Sequence, residues 1–401
     1  MSTVALVVNP TAGRGRGRAA GVRTAEALRT AGHDVVDLSA PSLPLAQESA
    51  DAAVRGTGGD DAGARPLVDA LVVVGGDGMV HLGVNATAGT GVPLGIVAVG
   101  TGNDFAHGLG LPTTRADRCV DALLAALGTS ASAVPSVRAV DAARVTGEHL
   151  ATPRWYAGVL SAGIDAAVNA HANAATWPRG RSRYARSALT EITRYRPYGY
   201  RVTLRGVPAG DELPALLAGA PLLPDRAAVG TSPDVPDAQG GRTVVWESPG
   251  ALVSVANGPR IGGGIRIAPG AALDDGLLDV VVAGPFARWG AARIFPGMYA
   301  GRHLANPGVG TLRATSVTIA ATGAGAAPPH AFADGEHLGP LPLRVDVVPG
   351  ALRVLDAAAG PVARSPSADD APIACGPPAA PHPRSDRRAR RRTVGWHHDG
   401  R

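Results

Sequence analysis

The chain has 401 residues, 45% of them apolar, and a formal net charge of +5. That is enough apolar material for a sizeable core in two or three domains. All 38 basic residues are Arg; eight of them, against five Asp, lie between Asp356 and Arg401, so the body is near neutral, which argues against a nucleic-acid-binding protein. Cys119 and Cys375 stand far apart, so neither a disulfide framework nor a thiolate metal site follows, and a reducing compartment fits. The opening MSTVALVVNP has no charged start and breaks at Pro10, so it does not read as a signal peptide. No apolar run approaches the ~18–20 residues of a membrane span, so a contact with a membrane would be made from its side.

In chain order, TVALVV (3–8) reads as a buried strand, followed by the loop NPTAGRGRG. Residues 18–31 fit a helix closed by Gly32. HDVVDLS is a second strand, and 44–64 are part helix, part loop. DALVVVGG is a third strand leading into the helix start GMVHLGVNAT, and PLGIVAVGTG a fourth, followed by a polar turn and a helix near 115–127. Short, fully apolar strands alternating with helices predict a parallel sheet covered on both faces, an α/β domain over residues 1–135. From 136 to 356 strand-like pieces separated by turn residues predict an antiparallel β domain, interrupted by one amphipathic helix at 181–196. Residues 206–241, rich in Pro, Gly, Ala and Asp, read as an insertion loop, and 357–401, with RSDRRARRR, as a disordered basic tail.

Three glycine-rich stretches, NPTAGRGRG, GGDG and GTGND, each follow a strand. In an open parallel sheet ligands bind beyond the strands' C-terminal ends. Glycines there let backbone N–H groups approach phosphate oxygens, and the positive end of the next helix points to the same place. A carboxylate among those groups, Asp77, suits a Mg²⁺ ion beside the phosphates. None of the three matches the P-loop, which needs a lysine the chain lacks, or the spaced dinucleotide fingerprint.

VVNPTAGRGRG, VVVGGDGMVHLGVNA and VAVGTGNDFAHGLGLP resemble the nucleotide-binding motifs of the diacylglycerol kinase catalytic domain, which the bacterial soluble lipid kinases share with the sphingosine and ceramide kinases. VANGPRIGGGIRIAPGAALDDGLLDVVV and FADGEHLG resemble the same family's second-domain signatures. The resemblance runs over about residues 3–355, with 206–241 unmatched. It implies an N-terminal α/β domain of the phosphofructokinase and NAD-kinase type, a C-terminal antiparallel β-sandwich, and ATP and Mg²⁺ in the cleft between them.

By this resemblance Asn9, Pro10, Thr11, Ala12 and Gly13 wrap the nucleotide, with Arg14 at the position of the usual lysine. Ser39 matches a hydroxyl near the adenosine. Gly75, Gly76, Asp77, Gly78, Met79, Val80 and His81 match the phosphate loop, and Thr101, Asn103 and Asp104 a further nucleotide contact. Glu336 matches the proton acceptor, with Asp334 beside the metal network. Asp77 is the competing base, better suited to the metal. Ala272, Asp275 and Leu277 match a second, structural Mg²⁺ site. Three departures stand out: Met79 for a threonine, His81 and Leu82 for an Asn-Glu pair, and Gly158 for an asparagine. On residues alone, ADGE (333–336) equally reads as a hairpin turn and ALDDGLLD as an Asp-rich turn entering a strand.

The implied activity is transfer of the ATP γ-phosphoryl group to the hydroxyl of diacylglycerol or a similar lipid. The alternatives are a sphingoid- or ceramide-type kinase, an NAD kinase, and a nucleotide-binding regulator without catalysis. GTGNDFA and DGLLDV speak against NAD kinase; the changes at 79–82 are the regulator's only support. On helix 181–196, Tyr184, Ala188, Ile192 and Tyr195 share one face and Arg183, Arg186 and Arg194 another, a pattern open to an interfacial helix or an ordinary packed one. The expected setting is the cytoplasm, peripheral at the inner membrane face, with a lipid substrate and no nucleic acid; the oligomeric state stays open, a homodimer being one form. His33, His107, His171 and His303 receive no role.

Overall fold

The computed structural model describes residues 2–56, 66–128, 134–175, 181–218, 222–224, 241–262 and 264–359. The basic tail from residue 360 on and the 225–240 part of the insertion lie outside them. In the first half, β1 (Thr3–Val8), α1 (Ala12–Thr30), β2 (Asp34–Asp37), α2 (Leu43–Arg55), β3 (Ala70–Gly75), α3 (Asp77–Thr87), β4 (Leu94–Ala98), α4 (Asp104–Gly108) and α5 (Ala116–Leu127) alternate as expected. The order β2-β1-β3-β4 is parallel throughout. Every residue of β3 and β4 is buried, which is why those strands read as unbroken apolar runs. The helical reading began at 18 because Gly13, Arg14 and Gly15 all take positive φ, so regular helix geometry starts only after them.

The second half contains β5 (Val137–Thr146), β6 (Arg154–Tyr156), β7 (Val159–Gly163), α6 (Ile164–Ala174), α7 (Arg181–Arg194), β8 (Tyr198–Val207), β9 (Leu222–Pro224), β10 (Arg242–Gly250), β11 (Leu252–Ala256), β12 (Leu278–Ala283), α8 (Arg288–Met298), β13 (Val309–Ala314), β14 (Ser316–Ala321), β15 (Ala331–Ala333), β16 (Glu336–Gly339) and β17 (Leu343–Leu355). An antiparallel sheet, β13-β12-β11-β7-β15-β16, faces the antiparallel strands β8, β10, β14 and β17 across a core that includes Tyr156, Tyr200, Val202, Trp246, Val253 and Val280. Among the described residues three helices, not one, interrupt this region: α6 and α8 accompany α7. Part of the expected insertion is ordered, as a 3₁₀ turn at Ala215–Leu217 and as β9 on the edge of β10.

The two halves share one sheet. The first part of β17 pairs with β14 and β5, and Val354 then pairs with Leu94 of β4, joining both halves into eleven strands. The change falls at Pro349-Gly350, where the register with β5 shifts between Val348 and Leu352. The buried Asp141 clamps this point: its Oδ1 accepts the Gly350 N–H at 2.8 Å and its Oδ2 the Gly276 N–H at 2.7 Å.

Candidate active site

The first glycine loop is shaped by Asn9, whose Oδ1 accepts from the Thr11 N–H (3.0 Å) and the Thr11 hydroxyl (2.8 Å). Pro10 O takes the Arg18 N–H at 3.3 Å. Gly13 combines φ +58° with a close approach: a Cβ on it would lie 2.1 Å from Val99 O. Loop 9–13 is thereby pressed against the end of β4. Ser39 supports the same loop from below, its Oγ accepting the Val8 N–H at 2.9 Å.

The other two loops are tied together by Asp77. Its Oδ2 accepts the Asn103 N–H at 2.8 Å and its Oδ1 the Asp104 N–H at 2.7 Å. Burial, reinforced by the Asp104 carboxylate, pushes the Asp77 carboxyl up to about 6, and Asp334 adds in the same direction. Asn103 holds its turn at φ 55°, and the Val99 and Gly100 N–H groups both reach Gly75 O. Asp77 therefore latches the loops after β3 and β4, a task no sequence pattern announced.

The hairpin β15–β16 supplies the opposite wall. Its turn is Asp334-Gly335, as the hairpin reading of ADGE expects. Asp334 Oδ1 accepts the N–H groups of Gly158 and Val159, both at 3.0 Å, and Oδ2 that of Ala157 at 3.1 Å. A Cβ on Gly158 would stand 2.5 Å from Asp334 Oδ1, which explains the glycine at this departure from the family pattern. Glu336 lies against the start of α3: a Cβ on Gly78 would meet its Oε1 at 3.2 Å.

These elements converge. Gly76, Asp77, Gly78, Val80, Thr101, Asp104, Asp334 and Glu336 line one cleft, and Asn9, Ala12, Gly76, Gly78, Met79, Gly100 and Glu336 line an opening beside it. Most of the Met79 side chain belongs to the core, packed under Gly75, and Leu82 is buried there too. His81 Nδ1 stands 3.5 Å from Asp334 Oδ2. One turn on, Asn85 accepts the Trp155 N–H at 3.0 Å and donates to Trp155 O at 2.8 Å, fastening α3 to β6.

Ala272, Asp275 and Leu277, in the loop before β12, are not part of this cleft's lining, although the neighbouring Leu273 is. Asp275 Oδ1 accepts the Leu277 N–H at 3.1 Å. Burial and Asp275 together push the nearby Asp279 carboxyl up to about 6. Among the described residues no cluster of three or more His, Cys, Asp or Glu side chains forms a metal site.

Sequence reading missed Arg260, Asn169 and Asn173 of the cleft wall. Arg260 sits in the quoted VANGPR stretch, so its neighbourhood was marked without its role. In the same stretch Asn257 is structural, its amide donating to Asp141 O and Ala157 O at 3.0 Å each. The cleft shares Asn169, Ile261 and Gly262 with an apolar chamber formed by α6, α7, α8, β11 and β12, including Val168, Ala188, Ile192, Leu252, Val281 and Phe295. The apolar face of α7 thus looks inward.

Two lobes joined by one sheet, with a glycine- and carboxylate-lined cleft beside an apolar chamber, suit a phosphotransferase-like protein. A family model for the diacylglycerol kinase catalytic domain matches residues 3–134, and one for the YegS C-terminal NAD kinase beta sandwich-like domain matches 158–356. A diacylglycerol kinase of Mycobacterium tuberculosis is 31% identical over 353 residues, covering 88% of this chain and 94% of its own. A Xanthomonas oryzae protein described as "Probable lipid kinase YegS-like" is 29% identical over 221 residues, 54% of this chain and 56% of its own. A diacylglycerol kinase structure from Bacillus anthracis str. Sterne shares the fold, with a TM-score of 0.55 at 20% identity over 88% of this chain and 97% of that one. The chain belongs to the diacylglycerol kinase family and is a lipid kinase of that kind.

Proposed function

We propose that the protein transfers the γ-phosphoryl group of ATP, with Mg²⁺, to the hydroxyl of diacylglycerol or a closely similar lipid. The observation that carries this reading is the shared wall at Asn169, Ile261 and Gly262, which sets a polar, glycine-lined cleft next to an apolar chamber. A lipid has one end for each. A dinucleotide acceptor has no use for the second space.

Phosphoryl transfer is chiefly positioning and charge stabilisation. The start of α3 and the 100–102 turn line the cleft and the opening beside it, and with Asn9–Gly13 they would hold the phosphates. Glu336, beside the same helix start, accepts the proton of the lipid hydroxyl. Asp77, Asp104, Asp334 and Glu336 line the cleft with Arg260, and the Asp77 carboxyl is raised first by burial and then by the neighbouring Asp104 charge. Asp77 and Asp334 would hold a hard divalent cation there, which would neutralise phosphate charge. Asp275, with the carbonyls of Ala272 and Leu277, would hold a second ion of structural purpose.

The lipid is reached at a membrane surface. No helix among the described residues is long and apolar enough to cross one. Trp289 on α8 is 83% exposed and Leu189 on the adjoining α7 is 64% exposed, and both helices wall the chamber with their other sides. Exposed Trp and Leu at the chamber's outer wall suit docking at an interface, at the inner face of the membrane.

The test is incubation of the purified protein with γ-labelled ATP, Mg²⁺ and, separately, diacylglycerol, a sphingoid base, ceramide and NAD. Label in phosphatidic acid supports the proposal. Label only in the sphingoid or ceramide product moves the acceptor within the class, and label only in NADP overturns it.

A further inference from the structure

Helix α6 carries Asp165, Asn169 and Asn173 at four-residue spacing, so the three share one face. That face runs from chamber to cleft: Asp165 lines the chamber, Asn169 both spaces and Asn173 the cleft. The outer two are engaged. Asp165 Oδ2 accepts from the Ser254 hydroxyl at 2.7 Å and its Oδ1 from the Ala166 N–H at 2.9 Å. Asn173 donates an amide N–H to Gly335 O at 2.9 Å, at the turn before Glu336.

The middle residue is not engaged. Asn169 is only 5% exposed, and the surface it keeps faces the two spaces it lines. Its amide has no hydrogen-bond partner among the described residues, yet neither amide atom is sealed from access. A largely buried amide without a partner is uncommon and calls for one. It stands where the polar cleft gives way to the apolar chamber, on a helix fastened on either side of it. An acceptor lipid with its reacting hydroxyl near Glu336 and its hydrocarbon toward the chamber therefore brings its linking group to Asn169. In a diacylglycerol that group is an ester, whose carbonyl accepts and cannot donate.

We propose that Asn169 Nδ2 donates a hydrogen bond to the ester carbonyl next to the reacting hydroxyl, so that this residue selects ester-linked glycerolipids over ether-linked ones. The inference deepens the lipid-kinase reading and rests on it for the reacting hydroxyl. Only the glycerol unit and its first ester need reach Asn169; the length of the chains plays no part. The ether analogue has a methylene group in place of the carbonyl and leaves the amide unpaired. A site built to hydrogen-bond a substrate group discriminates against the analogue that lacks it for that reason.

The experiment titrates the full chain by calorimetry with dioctanoylglycerol and with its dioctyl ether analogue in detergent micelles, beside turnover of the two with γ-labelled ATP. The ester should bind about tenfold tighter, the equivalent of one ordinary hydrogen bond, with a matching advantage in kcat/KM. Asn169→Leu should abolish that preference and leave ATP affinity unchanged, and Asn169→Ala should do the same. Asn169→Gln, with the same amide on a longer arm, should keep part of it. Equal binding of ester and ether by the wild-type chain, as a water on the amide would give, overturns the proposal, as does a preference that both truncations leave intact. An Asn169-dependent binding preference without phosphorylation of either lipid supports this inference and sinks the kinase reading instead. Phosphorylation of both lipids at equal kcat/KM does the reverse.

Discussion

Asp77 Oδ1 accepts the backbone N–H of Asp104 at 2.7 Å, while burial and, after it, the Asp104 carboxylate raise the Asp77 pKa. One pair thus supplies both a fastening between two loops and an electrostatic cost. The folded-state pKa, about 6, lies above the ordinary 3.8, so the folded chain holds this proton more tightly than the unfolded one. The associated stabilisation is fully present below the ordinary carboxylate range and is lost as pH rises through about 6, on the order of 3 kcal/mol. In urea unfolding without divalent ions, wild-type stability minus that of Asp77→Asn should fall by that order between pH 4 and 6.5. A flat difference contradicts the assignment.

Asp334 is held by three backbone N–H groups that would be left without their acceptor if it were truncated. Asp334→Ala is expected to cost on the order of 3 kcal/mol in urea unfolding, and Asp334→Asn less. Gly158→Ala should reproduce part of this loss by displacing the carboxylate, and should lower kcat with it.

How much of this was legible beforehand depends on how local each signal is. VVV at 72–74 runs straight into Gly-Gly-Asp-Gly, so the strand and the loop that follows it could both be read from ten residues. The hairpin at Asp334-Gly335 was equally readable as a turn. The apolar chamber was not: its walls come from residues 164–309, each element contributing one or two side chains, and no periodicity spans such a set. Helix α6, IDAAVNAHANA, was hidden because it follows the fully buried β7 without a loop and its alanines carry no strong amphipathic stripe. The common sheet was hidden because β17 looks like one strand of the second half until Pro349-Gly350 redirects it beside β4.

Trp289 faces solvent on a helix whose opposite side walls the chamber. Trp289→Ala should lower phosphorylation of long-chain diacylglycerol in vesicles severalfold, through weaker interfacial binding. Turnover of a dispersed short-chain diacylglycerol should stay unchanged. Equal effects on both substrates would place the residue in the fold instead of at a membrane.

The loop at Ala272–Leu277 offers a ligand-dependent prediction. A cation at Asp275 would relieve the repulsion felt by Asp279, so millimolar Mg²⁺ should raise the thermal midpoint by a few degrees, as binding to the folded state alone requires. Asp275→Ala should remove most of that rise. A rise of the same size in the variant would assign it to the cleft.

Glu336 lies against the start of α3, in the lining of both the cleft and the opening beside it. The most direct test of its role as proton acceptor is Glu336→Gln, assayed for turnover of diacylglycerol and, in parallel, for ATP affinity by calorimetry. Loss of a general base predicts a fall in kcat of about 10²–10⁴-fold with ATP binding changed less than about threefold. Turnover near the wild-type level, with the nucleotide still bound, would contradict the account.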